Sequence, residues 1–179
     1  MAESPPGKTA KSKGKKNGKN GISGLLDDLF QAAITLRGSI EPSDYKRYVL
    51  PLIFLRFLSL KYEKRRHELD TLMADPKSEY FTDDPEVRED ILNDPDEYTK
   101  VGAMMVPQAA RWEEIVKVAQ ADDIKLRMDT ILGDLETSFP KLKGLLPKIY
   151  AGSNLTPENL ASLINLFSKD VFKEDHGGD

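Results

Sequence analysis

The residues in this sequence with the clearest capacity for chemistry are cations. Between Arg37 and Arg66 there are eight basic and three acidic residues, a local charge of +5 in a chain whose net charge is −4. Seven of them, Arg37, Lys46, Arg47, Lys61, Lys64, Arg65 and Arg66, form a candidate DNA-contacting set, because Arg and Lys neutralise phosphates and give sequence-independent, salt-sensitive affinity. The competing reading is a solvated helix end, since Lys61 to Arg66 close a helical pattern at the place where the helix dipole favours cations. The eighth, Arg56, lies inside an apolar run. A buried Arg requires a partner, so an ion pair with an acidic residue of another helix is expected there.

Other chemistries find little support. The chain has no Cys, which excludes disulfides, Cys-based zinc sites and Cys nucleophiles. The two histidines, His67 and His176, have no Ser elbow and no metal-ligand partner at helical spacing. His67 follows a cationic helix end and is expected to be exposed. Carboxylates are dense from Asp75 to Tyr98, where ten acidic and two basic residues give −8. They lack the alternating ligand pattern and central Gly of a calcium loop, so the segment reads as a solvated acidic excursion. No catalytic, cofactor-binding or metal site is read from these residues.

The elements that position the cations follow from apolar periodicity. The run from Asp44 to Arg66, DYKRYVLPLIFLRFLSLKYEKRR, is apolar nearly all round between Val49 and Leu60 and must be buried on several sides. It is too short to span a bilayer, which needs about 20 such residues, and carries Arg56 at its middle. It predicts a central helix over about 43–73. Pro51 either kinks that helix, or leaves Tyr45 to Leu50 as a separate turn and starts the main helix itself. Glu41 or Ser43 is expected to cap it. Before it, Ile22, Leu26, Leu29, Ala33 and Leu36 give an amphipathic helix ending at Gly38.

After it, the excursion is punctuated by Pro76, Pro85 and Pro95, with a short helix from Pro85 to Leu92 capped by Asp84. Val101 to Val106 is a minor β segment or an extended packing segment. Trp112, Ile115, Val116 and Ala119 form a stripe in which Trp112 is a core anchor. Ile124, Met128, Ile131, Leu135 and Phe139 form the cleanest stripe, stopping at Pro140. Leu142 to Tyr150 is a connector or short helix. A final helix starts at Thr156 and Pro157, with Leu155 stapling to Leu160 and a buried face of Leu160, Leu163, Ile164, Phe167 and Val171. The fold class is therefore all-α, five to six helices around the central one. The domain would run over 21–172, after a disordered Lys-rich tail at 1–20 and before a linker starting at 173–179. The basic start lacks the apolar core of a signal peptide, and with the absence of Cys this fits a cytoplasmic protein.

Four segments carry a family resemblance. Leu25 to Gly38 (LLDDLFQAAITLRG), Tyr45 to Arg66, Pro107 to Trp112 (PQAARW) and Leu142 to Tyr150 (LKGLLPKIY) come in this order. Together they resemble the N-terminal helical domain of the methyltransferase (modification) subunit of type I restriction–modification systems, over Gly24 to about Val171. The resemblance implies an intact protein that transfers a methyl group from S-adenosylmethionine to adenine N6 in DNA. It also implies a specificity subunit and a restriction subunit as partners, in a bacterial or archaeal cytoplasm. The part in hand is expected to be non-catalytic. Such an enzyme needs a doubly wound sheet with a Gly-rich turn and an [N/D]-P-P-aromatic loop for the flipped base. Asn93-Asp94-Pro95-Asp96 lacks the second Pro and the aromatic. The alternative is a free-standing helical interaction module with no enzymatic parent.

Overall fold

The computed structural model describes residues 22–169, which form seven helices: α1 (Ile22–Leu36), α2 (Tyr45–Ala74), α3 (Pro85–Leu92), α4 (Pro95–Thr99), α5 (Trp112–Val118), α6 (Ile124–Ser138) and α7 (Pro157–Phe167). Among the described residues there is no strand. The helix count exceeds the expected five to six by α4, a single turn that Asp94 caps by accepting from the Asp96 amide at 2.9 Å. The Lys-rich start, the polar end and Val171 lie outside the described residues.

Helix α2 is the hub, packing against α1, α3, α5 and α7. It runs unbroken through Pro51, so one helix spans the run, and Pro51 is buried within it. Neither expected cap forms. Pro42–Asp44 makes a 3-10 turn that feeds directly into α2, and no side chain caps either element. The buried stripe of α2 continues past the apolar run as Leu58, Tyr62, Arg65, Leu69 and Met73, at steps of three and four. Trp112 is the core anchor that its stripe predicts. It is 2% exposed, its amide donates to Ser59 Oγ at 2.6 Å, and its indole Nε1 donates to Ser168 Oγ at 2.8 Å.

Helices α1 and α7 run antiparallel. Asn159, near the start of α7, donates to Ser39 beyond the end of α1 at 3.3 Å, and Lys169, just past the end of α7, pairs with Asp28 of α1 at 3.3 Å. Gly38 closes α1 at φ +87, the left-handed conformation that a C′ glycine supplies. The face of α1 matches the expected one only in part, with Leu36 buried and Leu29 packed against the core as expected. Asp28, Ala32 and Leu36 are buried, while Leu26 points outward. Leu, Phe, Ala and Ile recur all round this helix, so two stripes fit its sequence, and packing against α7 selects the one with the small Ala32.

The remaining elements follow their signals. Asp84 caps α3 by accepting from the Glu86 amide at 2.9 Å, and Thr156 caps α7 by accepting from the Asn159 amide at 3.1 Å. Leu155 and Leu160 are both buried across that cap. On α6, Ile124, Met128, Ile131 and Leu135 are buried with Phe139 packed against them, and Leu132 joins the same face. Val116 of the α5 stripe is exposed, whereas Ile115 and Ala119 are buried. Val101 to Val106 is irregular rather than a strand, with Ala103 and Val106 packed into the core. Leu142 to Tyr150 is a connector entered through the 3-10 turn Pro140–Leu142.

Candidate nucleic-acid interface

Four of the seven candidate cations share one face of α2. At 3.6 residues per turn, Lys46, Arg47, Lys61 and Lys64 fall within an arc of about 100°, with Lys46 and Lys64 at the same azimuth and about 27 Å apart along the axis. All four are exposed. Lys61 Nζ lies 5.0 Å from the centroid of Phe57, one turn earlier, and Arg47 makes an exposed ion pair with Asp44 at 3.5 Å. A surface pair of this kind contributes about 0–1 kcal/mol and is easily exchanged for another anion. Arg37 is exposed too, but stands apart just beyond the end of α1.

Arg65 does not belong to that face. It is 8% exposed, its Nε donates to the Glu97 carbonyl at 2.8 Å, and its Nη2 meets Glu97 Oε2 at 3.1 Å. On a regular helix Arg65 has the same azimuth as Arg47. At its height, however, the acidic excursion lies across α2 and converts a surface position into an interior one. Arg66 is half-buried on the other side, its Nη1 donating to Tyr62 Oη at 3.4 Å. Arg65 holds the excursion, and Arg66 is engaged by a tyrosine of its own helix rather than presenting its full charge outward.

The excursion is fastened by a polar cluster that the sequence reading did not assemble. Besides Arg65, the Glu97 carboxylate accepts from Lys100 Nζ and, at 2.8 Å, from Tyr80 Oη. The Lys100 hydrogen bond holds the Glu97 carboxyl below the usual carboxylate range, against the opposing effect of burial, with Tyr80 and Arg65 adding to it. Tyr98 stacks on Tyr62 with centroids 5.2 Å apart, and its hydroxyl donates to the Leu92 carbonyl at 2.7 Å. Burial pushes that hydroxyl up. Arg111 covers Tyr62 with its guanidinium 4.7 Å from the ring centroid. Arg56 is buried as its place in the run requires, and its guanidinium sits 5.7 Å from the centroid of the Trp112 ring. His67 is exposed, and His176 lies outside the described residues.

Within the described residues no cluster of three or more His, Asp or Glu is arranged to hold a metal ion, and no helix is long and apolar enough to cross a membrane. What the surface offers is a cationic helix face beside an anchored acidic excursion, on an all-helical frame. The family model described as the HsdM N-terminal domain matches this frame over residues 25–167, from the first turn of α1 to the last residue of α7. The chain belongs to that family. A curated relative of this HsdM N-terminal domain, the type I restriction enzyme MjaIX methylase subunit of Methanocaldococcus jannaschii, is 38% identical over 151 residues. The match covers 84% of this chain and 27% of the relative, so the chain spans about a quarter of the relative's length.

Proposed function

We propose that this domain engages DNA through the exposed cations of α2 and contacts partner subunits of a type I restriction–modification complex. The observation that carries the DNA half is the alignment of Lys46, Arg47, Lys61 and Lys64 on one exposed face, with Arg65 and Arg66 withdrawn from it. Such a row meets a duplex through its phosphates and contributes affinity without reading bases. Sequence recognition would fall to the specificity subunit, and cleavage to the restriction subunit.

The intact protein would transfer a methyl group from S-adenosylmethionine to adenine N6. The residues described here do not fit a site for that donor. They form neither a strand nor a Gly-rich strand-to-helix turn. Methyl transfer is therefore assigned to the parent protein outside this domain.

Fluorescence anisotropy with a labelled duplex tests the reading. The full chain is expected to bind, a version lacking residues 1–20 to retain most of that affinity, and Lys61→Glu/Lys64→Glu to bind at least about tenfold more weakly, since each reversal replaces a phosphate attraction by a repulsion. Loss of all binding on removing residues 1–20, with no effect of the double reversal, would move DNA contact from the helix to the tail.

A further inference from the structure

The first turns of α2 form one wall of a groove whose apolar residues the DNA reading leaves unused, although Lys46 and Arg47 line it as well. Leu50, Pro51 and Phe54 make that wall, and Leu142, Leu145 and Leu146 make the facing one. The groove measures about 460 Å3, within the range of about 300–1,000 Å3 typical of ligand sites. Leu50 is 58% exposed and Leu145 68%, so each rim presents a large aliphatic side chain to water.

Both walls are fixed. Glu136, near the end of α6, accepts from the Gly144 amide at 2.9 Å, the Leu146 amide at 3.1 Å and Lys148 Nζ at 2.7 Å. Gly144 takes φ +77, a turn that a residue with a Cβ would strain. The Tyr150 hydroxyl, deeply buried, donates to the Tyr48 carbonyl at 2.6 Å and ties this connector to α2.

The rim is basic. Lys46 and Arg47 line the α2 side, and the exposed Lys141 and Lys143 flank Leu142 on the other. Nucleic acid satisfies the charges but offers nothing to six apolar wall residues. An acidic amphipathic helix satisfies both, placing apolar anchors in the cleft and carboxylates against the rim.

We infer that this groove docks an amphipathic helix of a partner protein, one with apolar residues at i and i+4 and Asp or Glu beside them. The inference deepens the subunit-contact half of the proposed function. Binding of the helix probe is measured without DNA, so its failure leaves the DNA half standing, and duplex binding enters only as a comparison on the Lys46→Glu variant.

The probe is a fluorescein-labelled synthetic helix carrying Leu and Phe at i and i+4 and Glu at the flanking positions, with a twin in which every Glu is Lys. The full chain is expected to bind the acidic helix and to bind the twin at least about tenfold more weakly, because the rim repels it. Leu145→Asp places a charge in the cleft at an exposed position, so its melting temperature is expected to stay unchanged while affinity for the acidic helix falls by about tenfold or more. Lys46→Glu is expected to weaken the acidic helix and strengthen the twin. An acidic helix that does not bind, or that binds Leu145→Asp as tightly as the original chain, overturns the inference. So does a Lys46→Glu variant that loses duplex binding while its affinity for the acidic helix is unchanged, since the rim would then serve phosphates.

Discussion

Glu97 accepts from two cations and a tyrosine hydroxyl, and its removal leaves a buried guanidinium without its close carboxylate. Arg65 would keep the main-chain carbonyl of residue 97 at 2.8 Å, but its one remaining carboxylate would be Glu68 at 3.5 Å, which is partly exposed. Breaking a buried pair on one side costs about 3–5 kcal/mol, so Glu97→Ala is expected to lower unfolding free energy by about 3 kcal/mol in urea titration. Replacing both members by apolar residues, as in Arg65→Met/Glu97→Leu, is expected to be much less harmful, because no charge is left uncompensated. The same carboxylate gives a pH signature. Its folded pKa is depressed, first by the Lys100 hydrogen bond, so the unfolded chain binds more protons between the two values and stability rises with pH there. The contribution is complete above the ordinary Glu value of about 4.3 and is lost as pH falls through the depressed folded value. Urea midpoints should therefore show the gap between the original chain and Glu97→Gln narrowing as pH drops below about 4. A gap that stays constant down to pH about 2 would deny Glu97 its ionic role. At this scale the sequence held a signal that charge counting passed over. Arg65 falls at steps of three and four from Tyr62 and Leu69, on the buried stripe, which points it inward before any partner is known.

Among the elements, α2 was the most legible and α1 the least. An apolar run of that density has only one way to be buried, and α2 became the hub that its composition dictates. Pro51 left two readings open in the sequence, and packing on several sides holds the helix through it. For α1 the apolar residues outnumber the positions that one face can hide, so register depends on which neighbour arrives. The small Ala32 lets α7 approach, and Lys169 compensates Asp28 on the buried side. Two substitutions separate the alternatives. Leu26→Asp, at 59% exposure and near a helix N-terminus, is expected to change stability by less than about 0.5 kcal/mol. Ala32→Asp, at a fully buried site, is expected to cost about 3 kcal/mol or more, because it buries a charge against α7. Equal effects in thermal melts would reject the observed face of α1. The capping residues Asp84 and Thr156 were readable from local pattern alone. The missing cap on α2 was not, because the 3-10 turn at Pro42–Asp44 substitutes for it.

For the whole molecule, the decisive property is how charge is distributed. The net charge of −4 conceals a basic face on α2 and an acidic excursion of −8 between Asp75 and Tyr98. Sequence order shows both blocks but not their arrangement. The excursion folds back over α2 at Arg65, so that candidate cation is consumed in holding it, Arg66 is partly buried against Tyr62, and the other five remain exposed. The family was legible because its pattern lies in the order of apolar segments, which the fold preserves. Which of the candidate cations face outward was legible only in part, because it depends on a contact 32 residues away in sequence. The central claim is that phosphates are met by the α2 face, and its most direct test is the salt dependence of duplex binding. Each phosphate contact contributes about 0.9 to the slope of log affinity against log salt, so Lys61→Ala/Lys64→Ala is expected to lower that slope by about 1.8. A double variant that binds with an unchanged slope would show that these lysines touch no phosphate, and would contradict the account.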